Sequence, residues 1–223
     1  MNKTGDTKKA ETAVRTDKYP HSDNDWENFD VLHINRLPSA ATFMAYTTKE
    51  KAVKNDKSQS EYFQSLNGTW KFQFVPRSDQ RPMDFFEKGH DVSGWGNIKV
   101  PANWEMEGYG HPFYVGAGYG IKRNPPLIAM ENSPVGSYKR TFNVPANWKG
   151  KQIVLHFGGV ASAFYVWVNG EKVGYSQDSK TPSEFDITPY AVTGQNEIAV
   201  QVFKFSDGYY LDCLLYTSDA ADE

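Results

Sequence analysis

Ala163-Phe164-Tyr165-Val166-Trp167-Val168-Asn169-Gly170-Glu171-Lys172-Val173-Gly174-Tyr175 decides how this chain is to be read. The first six residues are apolar on both faces and too few for a buried helix, so they read as a strand. Asn-Gly follows, the pair that best fills the two positive-φ positions of a tight hairpin turn. Apolar residues then resume at Val173 and Tyr175. The stretch predicts two antiparallel strands joined by a two-residue loop.

The same signature recurs outward in both directions. About ten residues upstream lies Ile153-Val154-Leu155-His156-Phe157, and before it residues 138–144, where Lys139, Thr141 and Asn143 mark a wet face and Arg140 interrupts the apolar one. Further back, a turn at Leu66-Asn67-Gly68-Thr69 leads into Trp70-Lys71-Phe72-Gln73-Phe74, with three aromatics alternating with two polar residues. Downstream, residues 197–205 put Ile198, Val200 and Val202 on one side. Helical periodicity is nearly absent. Residues 82–88 read as a short helix or turn, and residues 49–60 as a charged, solvated segment. Short strands at roughly ten-residue spacing, punctuated by Gly and Pro, predict an all-β chain folded as a jelly-roll β-sandwich.

Composition narrows the function classes. The 223 residues suffice for one all-β domain with a real core. Aromatics at 15% with a mean hydropathy of −0.63 fit a soluble aromatic-rich protein, and no apolar run reaches the roughly 20 residues of a membrane-spanning helix. A net charge of −3 with scattered Lys and Arg lacks the basic stripe that a phosphate backbone demands, so nucleic acid is not an expected partner. One cysteine, Cys213, allows no internal disulfide and no cysteine-based zinc site. The stretch before Asp25 is polar, with no apolar segment of a secretory signal, which suggests the cytoplasm, or the periplasm if the true start lies upstream.

Local chemistry is sparse. The five histidines, at positions 21, 33, 90, 111 and 156, show no metal-ligand spacing. Gly116-Ala117-Gly118-Tyr119-Gly120 lacks the Lys-Ser/Thr and the helix of a phosphate loop and reads as a tight irregular loop. Asp178, Glu184 and Asp186 lie close together, yet their Ser-, Thr- and Pro-rich surroundings suit turn caps better than a catalytic pair. Trp70, Phe72, Phe74, Phe164 and Trp167 are expected in the core. Trp104 and Tyr119 sit in Gly- and Pro-rich loops, where contact with a hydroxyl-rich ligand weighs evenly against a structural role.

A resemblance completes this reading. Val100-Pro101-Ala102-Asn103-Trp104-Glu105-Met106-Glu107-Gly108-Tyr109, Pro112-Phe113-Tyr114, Asn124-Pro125-Pro126, Glu131-Asn132 and Val135-Gly136-Ser137-Tyr138 resemble the family-2 glycoside hydrolases of the large β-galactosidase type. So do Val168-Asn169-Gly170, Gly174-Tyr175-Ser176-Gln177-Asp178-Ser179, Pro182-Ser183-Glu184-Phe185-Asp186 and Phe205-Ser206-Asp207-Gly208-Tyr209-Tyr210-Leu211. Each piece is short; their order and spacing from residue 25 to 212 make the resemblance specific.

The resemblance implies the amino-terminal sugar-binding domain of a retaining β-galactosidase, galactose-binding-domain-like in fold, whose parent cleaves terminal β-D-galactosides. The parent's catalytic glutamates and its magnesium ligands would lie beyond residue 223, so no catalytic residue is expected within the fragment, which alone would be inactive and need no cofactor; magnesium and sodium belong to the parent. Asp207 matches the residue that contacts a sugar hydroxyl and helps hold sodium. Gly116 takes the place of an asparagine that also reaches the sugar, which opens the substrate range to related β-glycosides. Implied partners are a β-glycoside, the remaining domains of the parent, and further copies in a homo-oligomer. A free-standing carbohydrate-binding module and a structural assembly domain are the alternatives. Residues 1–24 are expected to be a disordered leader and 25–212 the domain. Residues 213–223 match the translation of a transposase end and adapter used to prepare sequencing libraries, and are expected not to be native protein.

Overall fold

The computed structural model describes residues 22, 24–41, 43–112, 122 and 124–210. Among the described residues nine strands carry the fold: β1 (His33–Ile34), β2 (Gly68–Val75), β3 (Gly96–Val100), β4 (Val135–Val144), β5 (Val154–Phe157), β6 (Ala163–Val168), β7 (Glu171–Gln177), β8 (Ser183–Asp186) and β9 (Gly194–Phe203). All pair antiparallel. Seven form one sheet in the order β1-β7-β6-β9-β4-β2-β3, and β5 pairs with β8 in a second, two-stranded sheet. The chain is an all-β sandwich, as its pattern predicts, with very unequal layers.

The β6–β7 hairpin forms where Asn-Gly places it. Asn169 and Gly170 take φ values of 53° and 90°, the left-handed region that Asn and Gly enter at least cost. Asn169 then anchors the turn, its side chain donating to Tyr190 O and Asn196 Oδ1 and accepting from the Glu197 amide. A bulge between Val166 and Trp167 shifts the register, so that Val173 and Tyr175, two apart in sequence, pack into different clusters.

Both faces of the large sheet are covered. Phe72, Phe164, Val166, Ile198 and Val200 pack with Leu155 and Phe185 of the small sheet and with Trp104. Tyr165, Trp167, Ala199 and Phe203 pack on the other side with Trp26 and Phe85, which arrive from loops. Gly174 makes the approach of β8 possible: a Cβ there would stand 2.6 Å from the Phe185 ring and 2.4 Å from the Ile34 carbonyl.

The double covering corrects one expectation. Lys139, assigned by alternation to a wet face, is 4% exposed. Residues 85–90 fold over it, and its ammonium donates to the carbonyls of Phe85 and Glu87 at 3.2 and 2.8 Å and lies 3.3 Å from Glu197. Thr141 and Asn143 on the same face are exposed. Arg140 interrupts the apolar side by clasping the Leu66 and Asn67 carbonyls of the turn before β2. The solvated segment contains a helix, α1 (Lys49–Lys54), that buries no residue. Its ends supply the reason it forms: Thr48 accepts from the Lys51 amide, and Asn55 closes it in the left-handed conformation.

Candidate functional site

Strand β9 ends at Phe203, and the chain turns through Ser206-Asp207-Gly208. The turn is fixed at every step. The Tyr209 and Tyr210 amides donate to Ser206 O and Asp207 O, Ser206 Oγ accepts from Ser162 Oγ at 3.1 Å, and the Asp207 amide donates to Trp26 O at 2.8 Å. Asp207 is fully buried. Its Oδ1 accepts from the Gly208 amide at 2.7 Å, while among the described residues Oδ2 meets no hydrogen-bond donor.

Burial pushes the Asp207 carboxyl up to about 6, since the charged form loses its hydration. Gln177 works against this. Tyr175 Oη donates to Gln177 Oε1 at 2.8 Å, and the Gln177 amide favours the charged carboxylate, as does the Gly208 N–H. The nearby Glu27 charge adds to the upward push. Glu27 is itself buried, with Oε2 taking Ser22 Oγ and Asn24 Nδ2 and Oε1 taking the Ile128 amide at 2.8 Å. Tyr210 Oη donates to Leu127 O and accepts from the Asn124 amide. Three distant pieces of chain, residues 22–27, 124–128 and 205–210, are therefore laced together around one carboxylate.

Near neutral pH such a group is an acceptor with one unmet oxygen. A buried acceptor without a partner is costly, and a ligand hydroxyl or a hard cation relieves it. For sodium the fit is partial: Oδ2 is a suitable oxygen ligand, but among the described residues no three His, Cys, Asp or Glu side chains gather to hold a metal.

The other expected site residues fare differently. Trp104 is 8% exposed, its indole N–H donates to Tyr138 Oη, and its ring packs against Phe72 and Phe74; the structural role is the one it fills here. Gly116 and Tyr119 lie outside the described residues. Of the acidic residues downstream of β7, two cap turns, Asp178 taking the Lys180 amide and Thr181 hydroxyl and Asp186 the Thr188 amide and Gln152, while Glu184 on β8 pairs across to His156 on β5 at 2.9 Å. Sequence reasoning missed Trp26, Glu27 and Gln177. The only signal for the first two is that strand-domain sequence is expected from residue 25 onward; nothing local shows that Trp26 meets residue 207.

The described residues form an antiparallel β-sandwich whose last strand leads into a buried acidic turn. The sugar-binding domain of the glycosyl hydrolases family 2 matches residues 63–216, and the chain belongs to that family. It is 43% identical to a β-galactosidase of Priestia megaterium over 216 residues, 95% of this chain and 20% of that protein. A β-galactosidase of Halalkalibacterium halodurans is 41% identical over 197 residues, 86% of this chain and 19% of that one. The chain thus spans about a fifth of the length of these relatives. Among solved structures, a β-glucuronidase from Ruminococcus gnavus in complex with uronic deoxynojirimycin aligns over 65% of this chain and 22% of its own, at 26% identity and a TM-score of 0.47. Among the described residues no helix is long and apolar enough to cross a membrane.

Proposed function

We propose that this chain is the amino-terminal domain of a retaining β-galactosidase-type enzyme and that it supplies one wall of the sugar pocket, with Asp207 as the group that reads a sugar hydroxyl. The observation that carries the reading is the buried Asp207 carboxylate, whose Oδ2 meets no donor among the described residues, in a turn held by backbone hydrogen bonds from Asp207 to Trp26, from Tyr209 to Ser206 and from Tyr210 to Asp207. A hydroxyl donating to Oδ2 fixes the sugar ring, and the raised proton affinity of the carboxyl makes that bond strong once ionised. A sodium ion bound at the same oxygen would supply a fixed positive charge, with Asp207 as its ligand from this domain. The remaining domains would bring the acid/base and nucleophile carboxylates, which retaining hydrolysis needs about 5 Å apart across the glycosidic bond, and the magnesium ligands. Gly116 in place of the family's asparagine extends the reading to related β-glycosides.

The test is Asp207→Ala in the complete enzyme. A charged hydrogen bond to ligand is worth about 1.5–3 kcal/mol, so kcat/KM for an aryl-β-galactoside should fall by roughly one to two decades with the fold intact. Unchanged kinetics with and without sodium would remove Asp207 from the pocket. The 223 residues alone are expected to give no turnover.

A further inference from the structure

On the face of the large sheet away from β5 and β8, a cleft of about 290 Å³ opens beside Trp26. That is the low end of the roughly 300–1,000 Å³ of small-molecule sites, room for one six-membered ring with its substituents. Trp26 lines the cleft, and its carbonyl accepts from the Asp207 amide; Asp207 itself is not among the lining residues.

One wall carries a cation with spare donors. Arg81 is half-buried, 4.8 Å from the Trp26 ring centre, and donates from Nη1 to Ser78 O at 2.7 Å; among the described residues no carboxylate pairs with it and no acceptor meets its other guanidinium N–H groups. A planar guanidinium left open in this way suits a carboxylate, which takes two of its N–H groups at once. Lys172 also lines the cleft, 3.6 Å from Asp25 Oδ2 and 4.4 Å from the Tyr165 ring centre. Asp25 spends that same oxygen on Tyr165 Oη at 2.6 Å. The charged lining, Arg81 and Lys172 against Asp25, is net positive.

The remaining lining reads a different part of a ligand. Phe86 lies flat on Trp167, centroids 4.9 Å apart and planes 5° off parallel, a rigid apolar wall suited to the C–H face of a sugar ring. Gln201 holds the rim by donating to Pro82 O at 3.0 Å. Asn24 and Asp25 offer donor and acceptor atoms for hydroxyls.

We infer that this cleft is a second ligand site, distinct from the Asp207 pocket, which binds a small sugar acid with its carboxylate on Arg81. Lys172 adds charge, Asp25 and Asn24 take hydroxyls, and Phe86 carries the ring. The test uses the 223-residue chain, with glucuronate, galactose and inorganic phosphate titrated in turn while the Trp indole N–H resonances are followed. Glucuronate should shift the Trp26 and Trp167 signals, galactose should bind about tenfold or more weakly, and Arg81→Gln should abolish the response. Lys172→Gln, at an exposed position, should weaken glucuronate several-fold and guards against an Arg81 variant that fails to fold. Asp207→Asn should leave glucuronate binding unchanged, which keeps this test separate from the sugar-pocket reading. No response to glucuronate, an equal response to galactose or to phosphate, or a response lost with Asp207 instead of Arg81 would each overturn the inference.

Discussion

The amide of Asp207 donates to the carbonyl of Trp26 over 2.8 Å, so a turn near the end of the described chain is pinned to a residue near its start. The bond sets the backbone of the turn but leaves the Asp207 carboxylate buried, with no donor to Oδ2 among the described residues. Folding of this domain alone therefore carries a cost that a bound hydroxyl or cation would offset. A stability cost maintained at one carboxylate is what a site kept for a ligand looks like.

The cost has a sign and a pH window. The Asp207 carboxyl is raised from 3.8 to about 6 on folding, so between those values the folded chain binds the proton more tightly than the unfolded one. Stability from this group is greatest when it is protonated and declines as pH climbs through the window toward neutrality. Asp207→Asn removes the charge, and in urea denaturation at pH 7.5 the variant should be more stable than the parent by about 1–3 kcal/mol. At pH 4 the difference should shrink to near zero. A variant less stable at pH 7.5 would mean that the carboxylate is satisfied in the folded chain.

Lys139 is another buried charge, and here the partners are present. Its ammonium meets Glu197 and the carbonyls of residues 85 and 87, and Glu197 also accepts from the Gly89 amide at 3.0 Å. The pair thereby staples residues 85–90 over the sheet. Lys139→Met should lower stability by about 2–4 kcal/mol, because it strands several carbonyls and one carboxylate. Lys139→Met combined with Glu197→Gln should cost less than the two single changes summed, by at least about 0.5 kcal/mol, in a double-mutant cycle from urea melts. Additive losses would show that the two side chains act independently.

Legibility in the sequence follows the range of the cause. The β6–β7 hairpin was legible because Asn169 and Gly170 specify their own turn, and β2 and β9 because alternation is local. Lys139 misled because alternation reports chemistry along one strand, whereas burial depends on whether a distant loop covers that face. The caps of α1 were present at Thr48 and Asn55, but six residues without an apolar stripe give no periodicity to detect. Asp207 emerged from resemblance alone; its burial and the clasp by Trp26 join residues 181 positions apart, which no local pattern encodes. Trp104 lies in a loop by sequence and in the core by structure, because its neighbours Phe72, Phe74 and Tyr138 come from two other strands.

Gly174 tests whether the small sheet is held against the large one by close approach. It lies on β7 opposite Val166, directly beneath the Phe185 ring of β8, and the Ile34 carbonyl of β1 closes the remaining space. A methyl group there meets the carbonyl at 2.4 Å and the ring at 2.6 Å, so either β1 must leave the edge of the sheet or Phe185 must lift from the core. Phe185 is fully buried and cannot move without opening a void beside Phe164 and Phe157. Gly174→Ala should therefore cost about 2–4 kcal/mol, more than the 1–3 kcal/mol usual for overpacking because backbone is one of the obstacles. Gly94→Ala is the matched control: nothing lies within 4 Å of the added carbon, and its effect should stay within about 0.5 kcal/mol. Urea denaturation followed by tryptophan fluorescence measures both. Hydrogen exchange then locates the damage: faster exchange at the Gln177 and Leu37 amides, which bond to Leu32 O and Glu184 O, would place it at the contact of residues 32–37 with β7 and β8. Equal losses for the two variants would mean that close approach at Gly174 does not hold the layers together.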